Sequence, residues 1–355
     1  GRDAVSDRVY KSKIYREEDL IAAKNLPADA DVNLKTLEIA FDRTCQFACS
    51  YCNPAFSSTW VKDIRTSGSY QNLISDGRNH FTHEHSNSQL YKFGESNPYV
   101  EAFFRWWETD LHHTLEELRI TGGEPLMSGH TWKLIDWFKN NPGRSQTRLA
   151  INSNLGFEQD RLVQLLEACD GIQIDLYTSN ESIGSQAEYI RDGLDWNQWC
   201  SNMEFLMQTG KLRGLHVMNT INALCLDSLP DFLTQCMQWK EQYGEDFPNF
   251  TLNILRFPSF QSPLILPDEI RNKYKNELET WLLQYRDHPL LQPHERYHTQ
   301  RLIDYLDVVK TPHSDSFDMP KLHNDFKQFY SQYDQRRQKD FRSTFPGLKD
   351  WYDQL

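Results

Sequence analysis

Three cysteines within eight residues are the part of this chain best suited to chemistry. Cys45, Cys49 and Cys52 have C-x3-C-x2-C spacing and directly follow the alternating residues 37–41. Three thiolates on one loop can hold three corners of an iron–sulfur cube, and such clusters normally take four cysteine ligands. The missing ligand leaves one iron open to an exogenous group. The spacing therefore predicts a catalytic 4Fe-4S cluster rather than a site for electron storage.

Two other interpretations of these cysteines are weaker. A zinc site needs four ligands, usually from two C-x2-C pairs, whereas only three cysteines lie together here. Chance is a poor explanation too, because seven cysteines in 355 residues give this spacing in roughly 0.3% of random chains. An odd number of unpaired cysteines also favours a reducing compartment over a disulfide-stabilised fold.

The composition argues against several classes of function. The net charge of −12 disfavours nucleic-acid binding through phosphates, which needs a concentrated basic surface. No run approaches the roughly 18 apolar residues of a membrane span, and no apolar signal segment occurs near the first residue. We therefore expect a cytoplasmic protein with no nucleic-acid and no membrane partner. The one dense basic cluster, at residues 336–339, is expected to be the solvated face of a helical tail.

A second motif, Gly122-Gly123-Glu124-Pro125, follows the cysteines by about seventy residues. Together with Cys45–Cys52, in which the aromatic residue Tyr51 precedes the last cysteine, it resembles the radical S-adenosylmethionine (SAM) superfamily. The resemblance covers about residues 36–260 and is to the branch that carries a SPASM or shortened twitch extension. It implies an α/β fold, a partial (β/α)6 barrel with a C-terminal helical or α+β extension.

The resemblance also implies the cofactors and the reaction. The open iron of the cluster would chelate SAM, and an external one-electron reductant such as flavodoxin or ferredoxin would start its reductive cleavage. The 5′-deoxyadenosyl radical would then abstract hydrogen from the substrate. The residues implied to contact SAM are Tyr51, Gly122, Gly123, Glu124, Pro125, Ser153, Asn154, Gln173, Arg191 and Asn222.

Three of these assignments have specific reasons. Arg191 offers a guanidinium fork that suits the carboxylate of SAM, although a salt bridge on a helix surface would explain it equally well. Gln173 stands where many relatives place a serine near the ribose. Asn222 follows the fifth predicted strand and is implied to contact the adenine or the ribose.

Strand-like and helix-like segments alternate along the chain in agreement with this fold. Such repeats predict a parallel sheet with helical crossovers, whose working loops lie at the carboxyl ends of the strands. The predicted strands are residues 37–41, 115–121, 148–152, 171–176, 215–221 and 250–255, and the helices between them are residues 131–139, 159–169, 196–209 and 229–243.

The domain organisation follows from these segments. Residues 1–35 form an N-terminal extension, and residues 36–257 form the barrel, with an insertion at 53–113 that is either a substrate lid or a peripheral addition. Residues 258–355 are predicted to form a C-terminal cap with helices at 274–285 and 322–333. The cap resembles a twitch extension without a second cluster, because no cysteine follows Cys236.

Cys225 differs from the other remaining cysteines because it lies just beyond the fifth predicted strand. A thiol there could return a hydrogen atom to a substrate radical, and the alternative is a small buried core residue. Three functions follow. The first is hydrogen abstraction from a peptide or amino-acid-like substrate. The second is the same chemistry on a carbohydrate or other small metabolite, by an epimerase or dehydratase. The third, which the motifs disfavour, is a non-catalytic iron–sulfur protein.

Overall fold

The computed structural model of the chain describes residues 17–74, 81, 96–244, 247–308 and 318–355. Six strands form one parallel sheet in the order β1-β2-β3-β4-β5-β6, with β1 and β6 at its edges. This is the strand order of a partial (β/α)6 barrel, so the predicted fold class is confirmed. The strands are β1 (Thr36–Ala40), β2 (Glu117–Thr121), β3 (Arg148–Asn152), β4 (Ile174–Ser179), β5 (Gly214–Ile221) and β6 (Asn249–Ile254).

The helices connect the strands and continue past β6. Among the described residues, no helix is both long enough and apolar enough to cross a membrane. The helices are α1 (Glu17–Lys24), α2 (Ser58–Ser67), α3 (Pro98–Trp106, followed by a π-turn at Trp107–Leu111), α4 (Gly129–Asn140), α5 (Gln159–Ala168), α6 (Gly184–Ile190), α7 (Trp196–Thr209), α8 (Leu229–Tyr243), α9 (Asp268–Tyr285), α10 (Pro293–Val308), α11 (Met319–Arg337), α12 (Phe341–Thr344) and α13 (Lys349–Gln354).

The two faces of the sheet differ in chemistry. Alternate strand residues such as Leu118, Ile151 and Val217 are fully buried, as expected where helices cover one face of a parallel sheet. Most of the residues between them are polar and at least partly exposed, because successive side chains of a strand point to opposite faces. The members of this polar face include Glu38, Arg119, Asn152, Tyr177, Ser179, His216, Met218 and Thr251.

The free edge of β6 is covered by side chains of α10. Glu295 Oε1 accepts a hydrogen bond from the amide of Phe250 at 2.9 Å, and His298 Nδ1 accepts one from the amide of Leu252 at 3.0 Å. Arg301 donates to the carbonyl of Leu252. Edge strands otherwise expose unpaired backbone groups that invite association with other chains. Helix α10, which the sequence did not predict, therefore closes this side of the sheet.

A buried ion pair attaches α10 to α8. Lys240 Nζ lies 2.8 Å from Glu295 Oε2, and both side chains are completely buried. The ammonium also donates to the carbonyl of Leu290 at 3.2 Å, and Glu295 accepts from the amides of Phe250 and Gln292. These hydrogen bonds satisfy both charges, which is the condition for keeping ions in a core.

The C-terminal basic cluster does not form a solvated face. Arg336 and Arg337 are only 11% and 6% exposed in their side chains, and both form ion pairs with Asp63. Arg337 and Lys339 also pair with Asp192, at 3.1 and 2.8 Å. The prediction for residues 336–339 was therefore wrong. Acidic partners on distant segments, which a helical pattern does not show, neutralise this end of α11.

Lys240→Met should lower the free energy of unfolding by about 3–5 kcal/mol, because it leaves the Glu295 carboxylate buried without a cation. The matched control is Lys273→Met, whose half-exposed ammonium lies 3.8 Å from Asp227 Oδ1 and should cost less than about 1 kcal/mol. Denaturant unfolding measures both. Equal losses for the two variants would show that the buried pair does not stabilise the attachment of α10.

Candidate cluster and cofactor site

The segment that carries the three cysteines, residues 41–57, contains no helix or strand and is called the cysteine loop below. It leaves the carboxyl end of β1 and leads into α2. Burial, and after it the neighbouring Cys49, raises the pKa of the Cys45 thiol to about 12. Burial followed by the charges of Cys49 and Cys45 likewise raises the pKa of Cys52. The three thiols share one short loop, and metal binding must displace their protons.

The donor type of the three thiols suits an iron–sulfur cluster. Three soft sulfur donors on one loop are the donor set that such clusters use, whereas a structural zinc ion takes four ligands. Among the described residues, no three His, Cys, Asp or Glu side chains come close enough to hold one metal ion.

Backbone hydrogen bonds fix the middle of the cysteine loop against the end of α6 and the segment that follows it. The amide of Ala48 donates to the carbonyl of Asp192 at 2.8 Å, and the amide of Ser50 donates to the carbonyl of Ile190 at 2.7 Å. These two bonds lie on either side of Cys49, which is 9% exposed. The segment after α6 thus determines where the central cysteine stands.

Side chains donate hydrogen bonds to five carbonyls of the cysteine loop. Ser57 belongs to the loop itself, and the other donors come from α2, from the turn after β6 and from α11. The carbonyl acceptors and their donors are Cys49 with Trp60 Nε1 at 3.0 Å, Ser50 with Gln261 Nε2 at 2.9 Å, Ala48 with the Tyr333 hydroxyl at 3.4 Å, Phe47 with the Ser57 hydroxyl at 2.7 Å and Cys45 with the Thr59 hydroxyl at 2.6 Å.

Gly122 and Gly123 allow the end of β2 to approach the start of the cysteine loop. A Cβ on Gly122 would lie 2.6 Å from the carbonyl oxygen of Asp42, and one on Gly123 would lie 2.4 Å from that of Thr44. Gly122 also has φ of +126°, which side chains disfavour. The Glu124 amide then donates to the carbonyl of Thr44 at 2.7 Å. Both glycines are therefore required by close packing just before Cys45.

Gly123→Ala should lower the free energy of unfolding by about 1–3 kcal/mol, because its Cβ collides with backbone atoms that cannot rotate away. It should also lower the iron content after reconstitution, since the displaced atoms lead directly to Cys45. The control is Gly129→Ala, where a Cβ meets nothing within 4 Å and stability should be unchanged or raised by about 0.5 kcal/mol. Thermal unfolding and iron analysis measure the two effects. Wild-type iron content in Gly123→Ala would contradict the account.

Glu124, Ser153 and Asn154 lie together beside Cys45. Glu124 is buried, and its two carboxylate oxygens accept from the amides of Leu126 at 3.0 Å and Asn154 at 2.6 Å. Asn154 Nδ2 lies 3.8 Å from Cys45 Sγ. Burial raises the pKa of Glu124 to about 7, although these hydrogen bonds oppose the rise. The structure thus brings three predicted SAM contacts to the cysteine loop, and their contact with SAM stays a prediction.

The raised pKa of Glu124 predicts a pH dependence of stability. The unfolded chain loses this proton near the ordinary value of 4.5, whereas the folded chain keeps it to about 7. The folded state therefore binds more protons across this interval, and stability should fall by up to about 3 kcal/mol as pH rises from 4.5 to 7. Denaturant unfolding of the metal-free chain at several pH values measures the fall.

Glu124→Gln should remove this loss of stability between pH 4.5 and 7. The control is Glu279→Gln, which changes a partly exposed carboxylate of α9 and should keep the loss. An identical dependence of the free energy of unfolding on pH in the wild type and Glu124→Gln would contradict the raised pKa of Glu124.

Arg191 and Tyr51 meet at the buried carboxylate of Glu181. Glu181 Oε2 lies 3.3 Å from Arg191 Nε and 3.3 Å from the Tyr51 hydroxyl. Arg191 Nη1 lies 3.7 Å from Cys49 Sγ. Arg191 is thus part of a buried group under the cysteine loop. Its predicted contact with the SAM carboxylate stays a prediction, and the surface salt bridge considered as the alternative is wrong.

The placement of Gln173 contradicts the prediction that it contacts SAM. Gln173 is exposed and precedes β4, and its carbonyl pairs with the amide of Leu149 at the amino end of the sheet. The six residues of β4 separate it from the carboxyl end by about 20 Å. The sequence prediction ended this strand at residue 176, whereas it continues to Ser179. The positional match with a serine in relatives was therefore assigned to the wrong end of β4.

Asn222 and Cys225 both belong to a tight turn after β5. Asn222 Oδ1 accepts from the amides of Leu224 at 2.9 Å and Cys225 at 3.2 Å, and its Nδ2 donates to the carbonyl of Thr220 at 2.9 Å. Cys225 is 0% exposed, and its thiol donates to the Asn222 carbonyl at 3.3 Å. The amide of Asn222 is thus engaged within the turn, and Cys225 is a core residue rather than an open hydrogen donor.

Sequence reasoning missed Asn180 and Glu181, which follow the carboxyl end of β4. Both are fully buried, and Asn180 Nδ2 and Glu181 Oε1 have no hydrogen-bond partner among the described residues. Buried polar atoms normally have a partner. The alternation of Asp175, Tyr177 and Ser179 on the polar face was the available signal, because it extends β4 by three residues and places Asn180 at its end.

The other cysteines lie on separate elements. Cys169 ends α5, and Cys200 and Cys236 lie on α7 and α8. Burial raises the pKa of Cys169 and Cys200 to about 12. None of these three thiols lies on the cysteine loop.

Comparison with known proteins finds similarity only among solved structures. No family model matches the chain, and no curated protein is similar to it. SuiB of Streptococcus suis is similar with a TM-score of 0.42 and 11% identity, over 71% of this chain and 47% of SuiB, so the chain spans about half of that protein. Native anSMEcpe with bound AdoMet has a TM-score of 0.41 and 11% identity, over 90% and 99% of the two chains. Native anSMEcpe with bound AdoMet and Kp18Cys peptide has a TM-score of 0.41 and 13% identity, over 71% of this chain and 62% of that chain. These values are too low to assign a function.

Proposed function

We propose that this protein is a radical SAM enzyme, which cleaves SAM reductively at a 4Fe-4S cluster and abstracts hydrogen from a peptide or amino-acid-like substrate. The observation that carries the proposal is the cysteine loop itself. Its three neighbouring thiols stand at the carboxyl edge of a parallel sheet, where ligands of such sheets bind. The start of the loop packs against Gly122 and Gly123, and a side chain at either glycine would collide with the backbone of the loop.

The residues present fit the two cofactors. Cys45, Cys49 and Cys52 would hold the cluster, and the fourth iron would remain for SAM. SAM brings hydrogen-bond donors in its amine and ribose hydroxyls and acceptors in its carboxylate and adenine. Among the described residues, Asn180 Nδ2 at this edge is a buried donor without an acceptor, and Glu181 Oε1 is a buried acceptor without a donor. When bound, the cofactors supply the electron transfer and the radical, and the protein binds, orients and excludes water.

The polar face of the sheet is where we propose that the substrate binds. Four of its charged residues are already paired, with Arg119 3.3 Å from Glu117 and Arg148 3.5 Å from Asp175. Nearer the carboxyl edge the side chains are neutral, as at Ser179, Met218 and Thr251. Neutral donors and acceptors suit the amides of a peptide and the hydroxyls of a sugar alike. The peptide is preferred because the resemblance is to a branch whose members most often modify peptides.

A carbohydrate epimerase that uses Cys225 has no support in the structure. This thiol is fully buried and hydrogen-bonded within its own turn. The proposed enzyme needs an external one-electron reductant, for which flavodoxin or ferredoxin is the candidate. We also propose that residues 258–355 act as a cap, since α11 supports the cysteine loop through Tyr333.

The proposal predicts that the reconstituted and reduced protein forms 5′-deoxyadenosine from SAM. The chain would be loaded with iron and sulfide without oxygen, reduced with dithionite and analysed by chromatography. Cys52→Ala should abolish the product because it removes a cluster ligand, while Cys200→Ala, on α7, should retain it. A loaded wild-type protein that forms no 5′-deoxyadenosine would contradict the proposal.

The substrate class is tested separately. Candidate peptides and candidate sugars are added to the same reaction, run in ordinary water and in deuterated water, and their masses are then measured. A mass change in a peptide supports the preferred substrate. A change confined to a sugar would support the alternative, with SAM cleavage unaffected in both cases.

A further inference from the structure

Arg191 is held in an unusual position for a guanidinium, directly against a cysteine of the cysteine loop. Its Nη1 lies 3.7 Å from Cys49 Sγ, and the residue is only 4% exposed. The guanidinium also faces the ring of Tyr51, with Cζ 5.6 Å from the ring centre. A cation in a site this dry interacts strongly with any negative charge on the sulfur.

The position of this guanidinium is fixed from two sides. Glu181 Oε2 accepts from Arg191 Nε at 3.3 Å, and the same oxygen accepts from the Tyr51 hydroxyl. The backbone of Arg191 is bound as well, because its amide donates to the carbonyl of Ala187 and its carbonyl accepts from the amide of Leu194, both at 2.8 Å. Part of the fork is therefore committed to Glu181, which leaves less of it for the carboxylate of SAM.

We propose that Arg191 sets the reduction potential of the cluster by donating a hydrogen bond to the Cys49 thiolate; this rests on the proposed function. Hydrogen bonds to the sulfurs and nearby charge are among the factors that set the potential of a cluster. The electron comes from the external reductant and adds negative charge to the cluster. A donor and a cation at one sulfur stabilise that added charge, so Arg191 makes the cluster easier to reduce. Arg191 is thus a positioning and tuning residue rather than a catalytic one.

Glu181 has a defined part in this arrangement. Its carboxylate binds Nε of the guanidinium and offsets part of the positive charge. This contact leaves Nη1 directed at Cys49. Removal of Arg191 alone would leave Glu181 as an unpaired anion in the core, which disturbs folding as well as the potential. The double variant Arg191→Gln with Glu181→Gln removes the guanidinium at Cys49 together with its counter-ion, so that no unpaired charge is left in the core.

The experiment is an anaerobic redox titration of the cluster-loaded proteins, followed by absorbance and electron paramagnetic resonance. Iron content and SAM affinity are measured on the same samples. The double variant should bind about four irons per chain, as the wild type does. Its midpoint potential, measured before SAM is added, should shift to a more negative value than that of the wild type. Arg213→Gln, which breaks an ion pair with Asp175 at the amino end of β4, should leave the potential unchanged.

Arg191→Lys is the second variant, because it keeps the charge but cannot contact both Glu181 and Cys49 in the same geometry. It should bind the cluster and show a smaller negative shift, and it keeps the test decisive if the double variant does not fold. A wild-type potential in both variants would overturn the inference. A wild-type potential with a SAM affinity at least about tenfold weaker would instead assign the guanidinium to the SAM carboxylate. A wild-type protein that binds no cluster would overturn the proposed function, which the titration shows before any variant is compared.

Discussion

The cysteine loop has no regular secondary structure, so its shape depends on hydrogen bonds that the rest of the fold provides. Backbone amides and carbonyls that are buried must be paired, and here the partners come from α2, from the segment after α6, from the turn after β6 and from α11. The three thiols can be near one another only while these partners stay in place. The site is therefore a product of the whole chain rather than of the C-x3-C-x2-C segment.

The same dependence explains the packing of the C-terminal residues. The hydroxyl of Tyr333 on α11 lies 3.0 Å from the carbonyl oxygen of Tyr189 and 3.4 Å from that of Ala48, and so joins the cysteine loop to α6. Arg337 stacks on the rings of Trp60 and Tyr333 at 4.6 and 4.1 Å while it pairs with Asp63 and Asp192. The end of α11 thus stands behind the loop as a support. Charges that a solvated helix would leave exposed are neutralised within this interface.

Much of the fold could be predicted from the sequence because local pattern and tertiary structure agree in the barrel. The alternation of apolar residues placed five of the six strands within two residues of their observed starts, and α7 and α8 begin and end as predicted. Helix α10 was missed because its role is to cover the edge of β6 through Glu295 and His298, which gives it a polar composition. The site was predictable where a motif residue is required by close packing, as at Gly122 and Gly123.

The remaining parts of the site depend on contacts between distant segments. Arg191 could be selected as a functional residue, but its partners Glu181 and Cys49 could not, because they lie 10 and 142 residues away. Gln173 was misplaced by an error in the length of β4, since a strand that ends three residues later moves the residue to the opposite end. Cys225 was correctly given two interpretations, and its burial supports the one in the core.

The central claim is that the cysteine loop holds a four-iron cluster, and the most direct measurement is the iron and sulfide content of the anaerobically reconstituted chain. The account predicts about four irons and four sulfides per chain, with the same content in Cys225→Ala and a clear loss in Cys49→Ala. One zinc or iron per chain without sulfide, or an iron content that Cys49→Ala leaves unchanged, would contradict it.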